Sequence, residues 1–152
     1  MESAAPIWGR PAISPRYCWA MPKENVEVVR RMYDAFYSGD ATGALGYFDA
    51  EVLVDTGSAR PDLSVGKGRE YLAAVVGSWA ATWEGWRDEV AEMRDLGNRV
   101  LVISVQRGKG KGSGLDVEAR YAILYDVANG AIVSVRMYGT VAEALEAAGL
   151  SE

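Results

Sequence analysis

No histidine occurs among the 152 residues, and Cys18 is the only cysteine. Imidazole-dependent triads, histidine zinc sites and histidine general bases are thereby excluded, as are an internal disulfide and a cysteine-based zinc site. Proton and carbonyl chemistry is left to carboxylates, tyrosines, arginines, water and backbone groups. Tyr33 and Tyr37 fall on one helical stripe, and Tyr121 and Tyr125 fall on one face of a strand pattern. A buried phenol seeks a hydrogen-bond partner, and when that partner is a bound carbonyl the phenol becomes an oxyanion donor; core or rim packing is the other reading of each. Trp79, Trp83 and Trp86 either wall a pocket for a polycyclic or aromatic ligand or fill the core or a subunit seam. Arg136 shares an alternating face with Ile132, Ser134 and Tyr138, from which it is expected to reach a ligand oxygen. Arg120 alternates with Asp116 and Glu118, a pattern suited to cross-strand ion pairs on a wet face.

Helical periodicity positions the first tyrosines. Val26, Val29, Tyr33, Phe36 and Tyr37 recur on one stripe, Pro22 suits the first turn, and Gly39 suits the C-terminal stop. Asp40 restarts a short helix reaching about residue 49, with Leu45 and Phe48 on its apolar face. Residues 51 to 55 read as a strand, and 56 to 65, with Gly57 and Pro61, as a loop. After Gly66 the helical period returns, with Leu72, Val75, Val76, Trp79 and Trp83 on one stripe, predicting the longest core helix. The period then changes to two. Residues 86 to 96, 99 to 107, 115 to 127 and 131 to 138 read as strands of an antiparallel meander, joined at Gly97-Asn98, at 108 to 114, and at the hairpin Asn129-Gly130. Thr140 to Glu143 is a capping box for a last helix carrying Leu145 and Ala148 and stopped by Gly149. Helices first and sheet second predict an α+β fold: a cone-shaped, curved antiparallel sheet wrapped around a long helix, N-terminal helices covering its concave face, and a pocket at the open end.

A composition of 49% apolar and 24% charged residues suits one folded domain with one core. The net charge of −5 argues against nucleic-acid or anionic-membrane partners and leaves a small apolar molecule as the expected ligand. No apolar run approaches the ~20 residues of a membrane helix, so a cytoplasmic location is expected. Gly66-Lys67-Gly68 lacks the rest of a dinucleotide fingerprint, and Arg107, Lys109 and Lys111 among glycines read as a solvated hairpin tip. Pro6, Pro11 and Pro15 make residues 1 to 21 a Pro-rich extension, with the domain running from 22 to 152. Met21 before Pro22 suggests a native start there, whereas Trp8, Tyr17 and Trp19 suggest an arm packed on the body or on a partner subunit.

Three strings carry a family resemblance: YDAFYSGDATGALGYFDAEV at 33 to 52, GKGREYLAAV at 66 to 75, and AILYDVANGAIVSVRMYGTVAEALEAAG at 122 to 149. With the order of elements, they resemble the nuclear transport factor 2-like superfamily, and most of all its SnoaL-like branch of polyketide-cyclase and ketosteroid-isomerase relatives. The resemblance implies a cofactor-free pocket protein without metal, and a homodimer through the sheet. It implies Asp55, near the end of the first strand, as a general base taking a proton beside a carbonyl. Those isomerases place carbonyl donors near Tyr33 on the first helix, where Met32 is the closer match, and near Tyr121 in the sheet, where no carboxylate is present. It also sets Arg136 against Asp55, as in epoxide-hydrolase relatives. Strand alternation, however, puts Val52 and Val54 on a face with Thr56 and not with Asp55, so Asp55 reaches a pocket only across a bulge or a strand end. Two functions remain expected: an isomerase, cyclase or dehydratase acting on an apolar carbonyl compound, with Asp55, Tyr33 and Tyr121 catalytic and Tyr37, Trp79, Trp83, Tyr125, Arg136 and Tyr138 binding the ligand; or a noncatalytic ligand-binding or dimeric assembly domain.

Overall fold

Helix α1 (Lys23–Tyr37) forms where the apolar stripe predicts it, burying Val29, Met32 and Tyr33 against the sheet. It ends at Gly39, whose φ of 90° only glycine adopts without strain. The computed structural model describes residues 23–150, so the Pro-rich extension and the proposed start at Met21 lie outside the described residues. Helix α2 (Ala41–Leu45) is shorter than expected: the Asp40 side chain accepts from the Gly43 amide, but by Phe48 the chain is already strand β1 (Phe48–Asp55). A 3-10 turn (Gly57–Ala59) and the two-residue strand β2 (Gly66–Lys67) lead to α3 (Arg69–Ala80). At 12 residues α3 is not the longest helix; α1, with 15, is. Trp83 opens strand β3 (Trp83–Asp95) instead of completing the α3 stripe.

Strands β4 (Arg99–Gly110), β5 (Asp116–Ala128) and β6 (Ala131–Tyr138) complete the predicted meander, and Asn129 at φ 51° and Gly130 at φ 79° make its last turn. The sheet order is β2-β1-β6-β5-β4-β3, antiparallel except for the parallel β1–β6 pair. It is a curved, open sheet and not a barrel. Its concave face packs on α1, α2 and α3 through Val52, Val54, Val100, Val102 and Val135. The outer face carries Leu101, Ile103, Ala122 and Leu124, and helix α4 (Val141–Ala147) covers them with Ala144, Leu145 and Ala148 just past its end. Thr140 caps α4 by accepting from the Glu143 amide, as the capping box predicts. Val102 lies on the concave side, so the outer face has its apolar cover from within the chain.

One irregularity in β6 decides which side chains face inward. Asp126 pairs with Ser134 but Val127 pairs with Ile132, leaving Val133 as an extra residue. A bulge reverses the alternation beyond it. Ile132 therefore faces the concave core, as do Val135 and Met137, while Arg136 and Tyr138 turn to the outer face. No helix among the described residues is long and apolar enough to cross a membrane.

Candidate functional site

The concave face and the helices over it enclose a cavity of about 460 Å³. Its wall is apolar for most of its extent: Met32, Phe36 and Leu72 from the helices, Phe48, Ile123 and Val135 from the sheet. Polar groups interrupt it, Arg60 and Arg120 among them. Asp88 projects from β3 beside Gln106 of β4, its Cα partner across the pair, and the Tyr121 hydroxyl donates to both Asp88 oxygens at 3.0 Å. Tyr33 of α1 and Tyr125 of β5 meet hydroxyl to hydroxyl at 2.6 Å, their rings nearly perpendicular with centroids 6.1 Å apart. At the other polar position the Trp79 and Trp86 indoles both donate to Gln106 Oε1, at 2.6 and 3.2 Å.

Burial sets the electrostatics. Among the described residues Asp88 is the one carboxylate that lines the cavity, and desolvation in this mostly apolar surround pushes its pKa up from 3.8 to about 6; the Tyr121 hydrogen bond opposes that rise. Desolvation also raises the Tyr33, Tyr121 and Tyr125 phenols well above their ordinary value, and the Asp88 charge adds to it. All three remain neutral hydroxyls where Asp88 titrates, at about pH 6. A carboxylate of that kind is suited to taking and returning a proton.

The structure brings Tyr33, Tyr121, Tyr125 and Trp79 together in this wall. It places the other expected residues elsewhere. Asp55 is not among the lining residues: Val52, Val54 and Thr56 are buried on the concave face, and regular alternation turns Asp55 outward. There its Oδ1 accepts from the Gly57 amide at 3.0 Å. Asp55 and Arg136 are Cα partners on that outer face, as the family resemblance suggests, but Arg136 approaches Asp126, at 3.9 Å. Tyr138 packs with the outer cluster under α4. Tyr37 is 39% exposed and stacks on Tyr33 and Phe36 outside the lining set. Trp83 packs edge to face on Trp79 behind the wall.

Asp55 nonetheless shapes the cavity at one remove. The turn it holds carries Ala59 and Arg60, which form part of the wall. Thr56 Oγ1 donates to the Arg60 carbonyl, and the Arg60 guanidinium lies 5.3 Å from the Trp79 ring centroid while pairing with Asp62. Gly57 has φ 47°, and a Cβ there would stand 2.7 Å from the Met137 carbonyl oxygen, so only glycine fits. Ser58 donates to Glu143 on α4 and accepts from the Gly139 amide, tying the turn to β6 and α4.

Asp88 and Gln106 are the site residues that residue patterns miss. Asp88 lies in WRDEVAEMRD, where charges occupy so many positions that no apolar alternation marks the inner face. Two bulges in β3, between Glu84 and Arg87 and between Val90 and Glu92, shift its register further. The available signal was Trp86 and Val90, apolar residues flanking Asp88 at spacings of two.

The SnoaL-like domain family matches residues 29–135, the span that builds this cavity. The chain belongs to that family. Solved structures with the same fold are similar to this SnoaL-like domain over most of their length. One is an NTF2-like protein of unknown function from Burkholderia pseudomallei (TM-score 0.67, 19% identity, 81% of this chain and 95% of that one). Another is TerC co-crystallised with polyporic acid (0.66, 15%, 83% and 98%). A third is a hypothetical protein from Catenulispora acidiphila with a ketosteroid isomerase-like fold, in complex with trimethylamine (0.62, 21%, 82% and 94%). No curated protein matches the chain at significance. At these identities the likeness concerns the fold alone, which hosts many chemistries.

Proposed function

We propose that this SnoaL-like domain is a cofactor-free enzyme that moves a proton on an apolar carbonyl compound, with Asp88 as the proton carrier. The supporting observation is that Asp88, the one carboxylate of the wall among the described residues, is held by Tyr121 in a mostly apolar cavity and titrates at about pH 6. Ionised Asp88 takes the proton from a carbon beside the carbonyl; the C–H electron pair becomes the enolate, and Asp88 returns the proton to a different carbon. Where the substrate carries a carbon–carbon double bond next to the deprotonated carbon, that balance is an isomerisation; where the enolate instead attacks a second carbonyl, a C–C bond forms, that carbonyl's π pair becomes an alkoxide, and Asp88 returns the proton to its oxygen, a cyclisation. Tyr121 orients the carboxylate, and the Tyr33–Tyr125 pair forms the polar floor of the cavity. Deuterium wash-in at the α-carbon of a panel of aromatic ketones in D₂O reads the first step without knowledge of the product. Enzyme-dependent exchange of at least one ketone is the expected result, and none across the panel sinks the reading.

That the described residues put no second carboxylate in the wall favours a second reading, a noncatalytic ligand-binding domain. Ligand binding without wash-in distinguishes it.

Tyr121→Phe tests the carboxylate's role by pH. The lost hydrogen bond had lowered the Asp88 pKa, so it rises in the variant, and the exchange rate, which needs ionised Asp88, gains its basic limb at higher pH by about one pH unit. A midpoint that stays in place or moves down contradicts the assignment.

A homodimer through the sheet belongs to the same proposal. Because α4 already covers the outer apolar cluster, the contact would use the exposed charged residues toward the β3–β5 end, such as Glu89 and Glu118. Equilibrium sedimentation at micromolar concentration should then show a dimer that weakens with salt; a monomer removes this part.

A further inference from the structure

The two indoles fix more than the position of Gln106. Indole nitrogen is a donor only, so the side-chain atom that receives both the Trp79 and the Trp86 N–H must be the amide oxygen. The orientation of the carboxamide, ordinarily ambiguous, is settled by chemistry. Its NH₂ is then the end left over, and among the described residues Gln106 Nε2 has no hydrogen-bond partner although Gln106 lines the cavity. Asp88 stands directly across the strand pair, and Cβ atoms of such partners lie about 5 Å apart. The wall here therefore offers an unused neutral donor beside a carboxylate, framed by flat rings: Trp79 lies edge to face with Trp83, and Trp86 with Phe36.

The geometry points to Gln106 as the specificity-determining residue of this cavity: clamped by two tryptophans, it selects flat, neutral aromatic ketones by donating its NH₂ to their carbonyl oxygen. The inference rests on the proton-transfer reading above and narrows its substrate class. A carbonyl oxygen on Gln106 brings its own α-carbon toward Asp88, so recognition and deprotonation use adjacent groups. A compound that presents a donor at that point leaves two donors facing each other and binds poorly.

The test is an equilibrium one, using tryptophan fluorescence with 2-acetylnaphthalene and its near-isostere lacking the oxygen, 2-isopropylnaphthalene. The ketone should bind about tenfold more tightly to the unaltered protein, the worth of one hydrogen bond. Gln106→Leu and Gln106→Glu should both lose that preference while still binding the hydrocarbon. Equal affinities in the unaltered protein overturn the inference without reference to any variant, as does failure of both probes to bind up to their solubility. A preference that survives Gln106→Leu overturns it as well. Asp88→Asn separates the two readings: if the ketone preference persists there while no ketone exchanges in the unaltered protein, the proton-transfer reading fails and the Gln106 assignment stands.

Discussion

Asp88→Asn should cut the α-proton exchange rate by about 10²–10⁴-fold, the usual contribution of a positioned general base, while making the protein more stable at neutral pH. The second half follows from linkage. The folded-state pKa near 6 lies above the ordinary 3.8 of an unfolded aspartate, so between those values the native state binds more protons than the unfolded one. Stability from this group is therefore fully present below about pH 4, and it is lost as pH rises through 6. A difference of roughly two pH units corresponds to ~3 kcal/mol of destabilisation carried at pH 8. Asparagine keeps an oxygen for the Tyr121 hydroxyl to donate to and removes the buried charge. The Tm of the variant minus that of the unaltered protein should be near zero at pH 4 and climb to roughly 5–10 °C by pH 8. A variant that is less stable at pH 8, or a difference that does not change with pH, would show that Asp88 is not a desolvated carboxylate.

Leu101→Ala should be the most damaging substitution outside the cavity. Leu101 is fully buried on the outer face of β4, next to Leu124 across the β4–β5 pair and beneath Leu145 and Ala148 at α4. Removing it leaves a void between two stiff layers, which typically costs 2–5 kcal/mol, against a total stability on the order of 5–15 kcal/mol for a domain. The urea midpoint should fall accordingly, and the Tm by roughly 6–15 °C. Because the cavity lies on the opposite face, affinity for 2-acetylnaphthalene well below the melting temperature should change less than twofold. A loss below ~1 kcal/mol would mean that α4 rides loosely on the sheet, and a large loss of affinity would mean that the two faces are coupled.

Local pattern carries far in this chain. The stripe Val26, Val29, Tyr33, Phe36 is long enough for a 3.6-residue period to be unmistakable, and Gly39, Asn129-Gly130 and Thr140 mark element ends through backbone preferences that act within a few residues. Tyr33, Tyr121, Tyr125 and Trp79 lie on apolar faces, and apolar faces turn inward. Where the pattern is short or mixed it misleads: Phe48 extends the α2 stripe by spacing yet belongs to β1, and Trp83 extends the α3 stripe yet begins β3. The family resemblance implies Asp55 as the base, but the same alternation that buries Val52 and Val54 sends it outward.

The sequence by itself determined the order of elements and the chemical vocabulary: without histidine, and with Cys18 as its only thiol, this protein has carboxylates and phenols for proton work. Those are matters of composition and of interactions between near neighbours. Which carboxylate lies in the cavity wall was decided by tertiary structure. The bulges in β3 and β6 set the inward faces, and they are stabilised by pairing with strands distant in sequence. One extra residue, Val133, sends Arg136 and Tyr138 to the outer face, and the β3 register sets Asp88 beside Gln106 and within reach of Tyr121. Desolvation, which gives Asp88 its basicity, belongs to no residue singly; it arises when three helices close over the concave sheet and exclude water from one carboxylate.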